Sequence, residues 1–222
     1  MPIQAVVFDL DGTLSNTLNS IAGFANEALQ AYGLPAIEVD TYRILIGEGR
    51  DTLIRRMILR SFGRDDDTLY RQVGELYDRL YAENPMRDVC VYPHIPELLQ
   101  GLKERNIPCA VLSNKPDDMT KAVAAGLFPE NTFAVVQGQR ADVPKKPAPE
   151  GVYAVLAPLG IAAENCLYVG DTKTDMQTAK NAGAVAAGVL WGFRDEEELR
   201  AHHADVIAAD PLELLDFIDT NR

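Results

Sequence analysis

Short apolar segments alternate with amphipathic helical patterns along most of the sequence, and this alternation limits the possible fold more than any other feature. The apolar segments lack strict two-residue alternation, which is typical of strands buried on both faces of a parallel sheet. Glycines such as Gly126, Gly160 and Gly183 follow several of the helical patterns and are expected to end those helices. The predicted fold class is therefore α/β, with a doubly wound parallel sheet. The predicted strands span residues 5–8, 109–112, 133–136, 166–169 and 185–189.

Residues 15–85 interrupt this alternation. They contain no convincing strand, and their apolar residues follow helical spacing, as at Ile21, Phe24 and Ala28. An insertion after the first strand would lie over the carboxyl edge of the sheet, where ligands bind in such folds, and would form a lid. The predicted domains are a core of residues 1–14 and 86–222 and a small α-helical domain of residues 15–85.

Composition excludes several classes of function. Acidic residues number 33 and basic residues 21, so the net charge is −12, which argues against binding to nucleic acid or to anionic membranes. Cys90, Cys109 and Cys166 lie in or beside apolar runs without a CxxC pair, and we expect buried thiols in a reducing compartment. With neither a signal peptide pattern nor a membrane-spanning stretch in the sequence, we expect a cytoplasmic monomer or homodimer that acts on a small molecule.

Polar residues follow two of the predicted strands in patterns that suit ion and phosphate binding. The string DLDGTL places Asp9 and Asp11 directly after the first strand. Two carboxylates this close repel each other unless a cation or proton compensates, and Mg²⁺ prefers such oxygen ligands. The string LSNK places Ser113 and Asn114 after the second strand, where a hydroxyl and backbone N–H groups can hold phosphate oxygens.

Two further strings add a cation and more carboxylates. KKPAPE places Lys145 and Lys146 before a predicted helix start, where the helix dipole disfavours a cation unless an anion shares the site. GDTKTD places Asp171 and Asp175 one helical turn apart after a buried strand. Taken singly, each string is also explained by a strand end, a helix cap or a loop lysine. Because the ends of parallel strands share one edge, the strings together predict a site for a metal ion and a phosphate dianion.

DLDGTL, LSNK, KKPAPE and GDTKTD, in this order, resemble the four motifs of the haloacid dehalogenase superfamily, and the resemblance covers nearly the whole chain. Residues 15–85 resemble the helical C1 cap of its phosphoglycolate phosphatase-like subgroup. The resemblance implies a Rossmann-like core and a phosphatase that uses Mg²⁺ to hydrolyse a small phosphomonoester similar to phosphoglycolate. A sugar phosphomutase of the same superfamily and a non-catalytic phosphate-binding protein remain as alternatives.

The resemblance also implies a role for each carboxylate of the first strand end. Asp9 would be the nucleophile that forms an aspartyl-phosphate, and Asp11 would be the general acid and then the general base. Asp9, the backbone carbonyl of Asp11 and Asp171 would be the ligands of Mg²⁺. Asp175 would support the lysine or the metal's water ligands from outside this first set of contacts.

The remaining motif residues would hold the substrate. Ser113, Asn114 and Thr13 are predicted to bind it, and Lys146 would neutralise the charge of the nucleophile and the phosphoryl group, with Lys145 as a possible substitute. In the cap, Gly47 and Arg50 are candidates for substrate binding. A glycine-flanked turn can approach a substrate closely, and Arg50 could pair with a carboxylate such as that of glycolate. A plain helix–helix loop with a surface arginine explains the same residues.

Overall fold

A computed structural model of the chain describes residues 2–221. Six strands form a parallel sheet: β1 (Ala5–Phe8), β4 (Cys109–Pro116), β5 (Val135–Gln139), β6 (Cys166–Gly170), β7 (Val185–Val189) and β8 (Val206–Ala208). Their order in the sheet is β5-β4-β1-β6-β7-β8. The strand order reverses beside β1, and ligands bind at the carboxyl edge of such a reversal in doubly wound folds. The predicted fold class is confirmed.

Helices cover both faces of this sheet and form the segment that follows β1. In the insertion they are α1 (Leu18–Ala31), α2 (Tyr42–Leu45), α3 (Arg50–Phe62) and α4 (Asp67–Glu83). In the rest of the chain they are α5 (Ile95–Glu104), α6 (Asp117–Leu127), α7 (Glu150–Leu156), α8 (Lys173–Ala182), α9 (Glu196–Ala201) and α10 (Glu213–Thr220).

The sheet is buried on both faces, which explains its unbroken apolar strands. Val6 and Phe8 of β1 face one hydrophobic cluster, and Ala5 and Val7 face another. The first cluster extends into the insertion, where it includes residues such as Met57 of α3. The core of the sheet and the core of the helical segment are therefore continuous in this structure.

Several details of the chain differ from the sequence-based expectations. Ser15–Asn16 (β2) pairs antiparallel with Cys90–Val91 (β3), so a short ribbon stands where no strand was expected. The strand predicted at 133–136 forms later, at Val135–Gln139, and β8 was not predicted. Cys90 is exposed rather than buried, because it lies in this short ribbon outside the core.

Candidate active site

The register of the sheet brings three motifs together at its carboxyl edge. Phe8 of β1 lies beside Val111 of β4 and Val169 of β6. Asp9, the next residue, therefore lies between the ends of the segments that carry Ser113 and Asp171. Gly12 turns the chain away from this edge at φ +86°, and a Cβ atom there would lie only 2.2 Å from Oδ2 of Asp171.

A buried cluster of carboxylates surrounds one lysine. Carboxylate oxygens of Asp9, Asp171 and Asp175 lie within 4.8 Å of one another. The Nζ atom of Lys146 lies 3.0 Å from Oδ1 of Asp9 and 2.7 Å from Oδ1 of Asp175. Lys145, the alternative considered for this position, instead donates to the backbone carbonyl of Glu48 at the exposed surface. The structure thus brings Lys146, and not Lys145, to the predicted nucleophile.

Burial, together with the closeness of the carboxylates, shifts the pKa values of Asp9, Asp171 and Lys146. Burial raises the pKa of Asp9 from 3.8 to about 7, although the ammonium of Lys146 opposes this change. Burial and the nearby carboxylates of Asp175 and Asp9 raise the pKa of Asp171 well above its ordinary value. Burial alone would lower the pKa of Lys146, but Asp175 and Asp9 outweigh it and raise that pKa. One ammonium therefore does not balance three buried carboxylates.

The donor set fits a divalent cation. Both oxygens of Asp175 are already engaged, Oδ1 by Lys146 and Oδ2 by the backbone and hydroxyl of Thr172. Each oxygen of Asp171 accepts from a single neutral donor, so Asp171 and Asp9 are the less heavily engaged carboxylates and the better placed ligands. Hard cations with oxygen ligands suit buried carboxylates of this kind, and a bound cation would compensate the excess negative charge.

The carboxylate of Asp171 is held from two sides. The hydroxyl of Thr13 donates to its Oδ1 at 3.3 Å, and the backbone N–H of Phe193 donates to its Oδ2 at 2.7 Å. Thr13 was predicted to bind substrate, but it is fully buried and contacts Asp171 instead. Trp191 donates from its indole nitrogen to the carbonyl of Thr13 at 2.9 Å. Trp191 and the backbone of Phe193 thus hold Thr13 and Asp171 in position.

The side chain of Asn114 fixes the backbone of the catalytic lysine candidate. Its Oδ1 accepts from the N–H of Lys146 at 2.9 Å, and its Nδ2 donates to the carbonyl of Lys146 at 3.1 Å. Because the amide is engaged on both sides, it positions Lys146 rather than pointing to a ligand. Ser113, in contrast, lines the cavity beside Asp9, where its hydroxyl accepts from the N–H of Lys115 at 3.2 Å.

Lys115 is a site residue to which the sequence analysis gave no role. Its Nζ lies 3.0 Å from both carboxylate oxygens of Asp11, and its side chain is only 6% exposed. Asp11 therefore points to this lysine, and its carboxylate does not join the cluster around Lys146. The LSNK string contains Lys115, and its position two residues after Ser113 on the same strand is the signal that could have identified it.

A small cavity joins these groups to the helical segment. It has a volume of about 50 Å³, enough for a few water molecules. Asp9, Asp11, Ser113 and Lys115 line its lower side. Apolar side chains of the helical segment and of α6 line much of the remainder, together with Gly47 and Arg50: Ile21, Ile46, Leu53, Tyr77 and Met119.

Arg50 lines the cavity but is engaged by carboxylates of the helical segment. Its Nε and Nη2 donate to the two oxygens of Asp78 at 3.0 and 2.7 Å. Its Nη1 donates to Asp51 at 2.9 Å and to the hydroxyl of Tyr70 at 3.3 Å. The expected pairing with a substrate carboxylate would compete with these two aspartates.

The loop that precedes α3 lies against the carboxyl edge of the sheet. A Cβ atom on Gly49 would lie 3.3 Å from the carbonyl oxygen of Asn114, so glycine permits this close approach. From the other side, the guanidinium of Arg194 donates to the carbonyls of Arg43 and Ile46. The helical segment is therefore docked over the candidate site in this structure.

Comparisons with known proteins agree with this arrangement. The profile of the family described as haloacid dehalogenase-like hydrolase matches residues 6–189. A phosphoglycolate phosphatase of Vibrio parahaemolyticus is 32% identical over 97% of this chain and 96% of its own length. A phosphoglycolate phosphatase of Yersinia pestis is 31% identical over 96% of this chain and 92% of its own length.

Solved structures give the same result. A predicted phosphoglycolate phosphatase of Haemophilus somnus has a TM-score of 0.89 and 26% identity, with 97% of each chain covered. CbbY of Rhodobacter sphaeroides, solved in complex with phosphate, has a TM-score of 0.75 and 25% identity, with 96% of each chain covered. These matches confirm the family resemblance drawn from the four motifs. Among residues 2–221, no helix is both long and apolar enough to cross a membrane; the cytoplasmic location stays a prediction.

Proposed function

Because the chain belongs to the haloacid dehalogenase-like hydrolase family, we propose that it is a Mg²⁺-dependent phosphatase that acts on a small phosphomonoester. One observation carries this proposal: Asp9 lines the cavity while Lys146 and Asp171 converge on it from two other motifs. The names of the relatives support phosphoglycolate as the first substrate to test.

In this proposal the phosphoryl group passes through Asp9. A carboxylate oxygen of Asp9 attacks phosphorus, the bond between phosphorus and the substrate oxygen breaks, and Asp11 gives its proton to the departing alcohol. Water then attacks the phosphorus of the aspartyl-phosphate, Asp11 takes a proton from that water, and release of phosphate restores Asp9. Asp11 must leave Lys115 to reach the reacting oxygens.

The other residues have supporting roles. Lys146 holds Asp9 and compensates negative charge, while Asp175 and Asn114 fix the position of Lys146. The hydroxyl of Ser113 faces the cavity as a phosphate ligand. Asp9, the backbone carbonyl of Asp11 and Asp171 would hold Mg²⁺, which supplies charge to offset the repulsion between the phosphate and the carboxylates.

We also propose that residues 15–85 form a mobile cap. The loop at Gly47 and Gly49 lines the cavity and lies against the sheet edge, so movement of this segment would admit substrate and its closure would exclude bulk water.

Phosphate release from 2-phosphoglycolate and p-nitrophenyl phosphate tests the function. We expect release with Mg²⁺, loss of release with a chelator, and a drop of roughly 10³-fold or more in Asp9→Asn. Asp142→Asn, which changes an exposed aspartate paired with Arg140, is the matched control and should retain full activity.

Mass spectrometry after an acid quench tests the intermediate. The wild-type protein should carry one phosphoryl group on the peptide that contains Asp9, and Asp9→Asn should carry none. Isomerised sugar phosphate without free phosphate would indicate a mutase, and substrate binding without turnover would indicate a binding protein. Either result would contradict the proposal.

A further inference from the structure

Lys115 is a buried cation for which the proposed hydrolysis has no direct use. Its Nζ lies 3.0 Å from each oxygen of Asp11 and 4.6 Å from the centre of the Tyr81 ring on α4. The residue lines the cavity, so its ammonium contacts both the sheet edge and the helical segment. A buried ammonium is stable only when an anion or several acceptors compensate it.

The position of Lys115 corresponds to the leaving-group side of the substrate. Ser113 and Asp9 define the phosphate side of the cavity, and the backbone N–H of Lys115 already contacts the Ser113 hydroxyl. Asp11, the proposed proton donor to the leaving oxygen, is the residue that the ammonium holds. The ammonium therefore lies close to the atoms that follow the phosphoester oxygen in a bound substrate.

The other nearby cations are already compensated. Lys146 contacts both Asp9 and Asp175. Arg50 contacts both Asp78 and Asp51. Among the described residues that line the cavity, Lys115 is the cation paired with a single carboxylate, and that carboxylate has another task during the reaction.

Resting on the proposed function above, we propose that Lys115 binds a carboxylate on the leaving group and thereby selects the substrate. Both oxygens of Asp11 are engaged by Lys115, so Asp11 cannot reach a leaving oxygen without giving up this contact. A substrate carboxylate takes the place of Asp11 beside the ammonium. Leu53 and Met119 line the same cavity, and their apolar side chains lower the local polarity, which strengthens the pairing. The substrate class is a short phosphomonoester with a carboxylate next to the carbon that bears the ester.

The test compares two substrates that differ in this group. 2-Phosphoglycolate carries the carboxylate, and ethyl phosphate has a methyl group in its place. With Mg²⁺ present, wild-type kcat/KM should be at least about 100-fold higher for 2-phosphoglycolate, the size of effect expected when a buried charge pair forms. Phosphoethanolamine, which has an aminomethyl group with a positive charge in place of the carboxylate, should be the poorest of the three.

The variant Lys115→Met removes the charge and keeps the length of the side chain. We expect the ratio of the two kcat/KM values to fall toward one, and Lys115→Arg to recover part of it. Lys121→Met, an exposed lysine on α6 paired with Asp117, is the matched control and should keep the wild-type ratio. Circular dichroism checks folding, and the three-substrate order of the wild-type protein tests the proposal without any variant.

Each outcome separates the two proposals. If Lys115→Met lowers both substrates equally and keeps the ratio, Lys115 only positions Asp11 and the inference is wrong. If the wild-type protein hydrolyses both substrates equally well, the carboxylate class is wrong while the phosphatase activity stands. If no phosphomonoester is hydrolysed, the proposed function itself fails.

Discussion

Replacing the proposed nucleophile should stabilise the metal-free protein at neutral and alkaline pH. Burial raises the pKa of Asp9 from 3.8 to about 7 in the folded state. The folded protein therefore binds this proton more tightly than the unfolded chain does, and stability is lost as pH rises from about 4 through about 7. The difference between the two pKa values corresponds to a loss of about 4 kcal/mol over the whole interval.

Asparagine at position 9 keeps the size of the side chain and does not titrate. Between pH 5 and pH 8, linkage gives a loss of about 2.5 kcal/mol for the wild-type protein relative to Asp9→Asn, because part of the interval lies below pH 5. Urea unfolding of both proteins, with a chelator present at each pH, measures this difference. Groups far from the site titrate alike in both proteins and cancel in the difference. The pKa values of Asp171 and Lys146 depend on Asp9, so their change in the variant contributes to the measured difference.

Mg²⁺ provides an internal control for this experiment. Millimolar Mg²⁺ at pH 8 should stabilise the wild-type protein more than Asp9→Asn, because the cation compensates the carboxylate that the variant lacks. If the difference in unfolding free energy between the two proteins is the same at pH 5 and pH 8, within about 0.5 kcal/mol, the electrostatic account of the cluster is wrong.

Two further predictions concern the backbone around the site. Gly12→Ala should lower the unfolding free energy measured in urea by more than about 2 kcal/mol and should weaken Mg²⁺ binding. The new Cβ would clash with the carboxylate of Asp171, and alanine is strained at the φ of +86° that Gly12 adopts. Gly160→Ala is the control for this change, because Gly160 also has a positive φ (+66°) but nothing lies within 4 Å of the added Cβ, and it should lower the unfolding free energy by only about 1 kcal/mol. Arg194→Met removes the hydrogen bonds to the carbonyls of Arg43 and Ile46. Hydrogen exchange of the backbone amides of residues 42–50 should then become about 10-fold faster. Unchanged exchange in this segment would show that Arg194 does not hold it against the sheet.

Features of the fold that depend on residues close in the sequence could be predicted, whereas features that depend on contacts between distant residues could not. The order of strands and helices depends on local apolar patterns, and those patterns are visible in the sequence. The ends of the strands were less certain: β4 continues through Ser113 and Asn114 to Pro116, because the sheet pairing extends past the apolar run. The pairing of Ser15–Asn16 with Cys90–Val91 depends on where the two connections to the helical segment meet.

The individual contacts of the site could not be read from the motifs. The charge of Arg50 on α3 is compensated by Asp78, which lies on α4. Asn114 holds the backbone of Lys146 from a different strand connection. Such pairs join residues that are distant in sequence, and no local pattern records which side chain reaches which partner.

From the chain alone, the carboxylates, lysine and hydroxyl were expected to meet, because parallel strands deliver their carboxyl ends to one edge of a sheet. Only the folded molecule decided how they divide into two groups, with Lys146 beside Asp9 and Lys115 beside Asp11. That division follows from strand register and from the docking of the helical segment. Both of these set distances between residues far apart in the sequence.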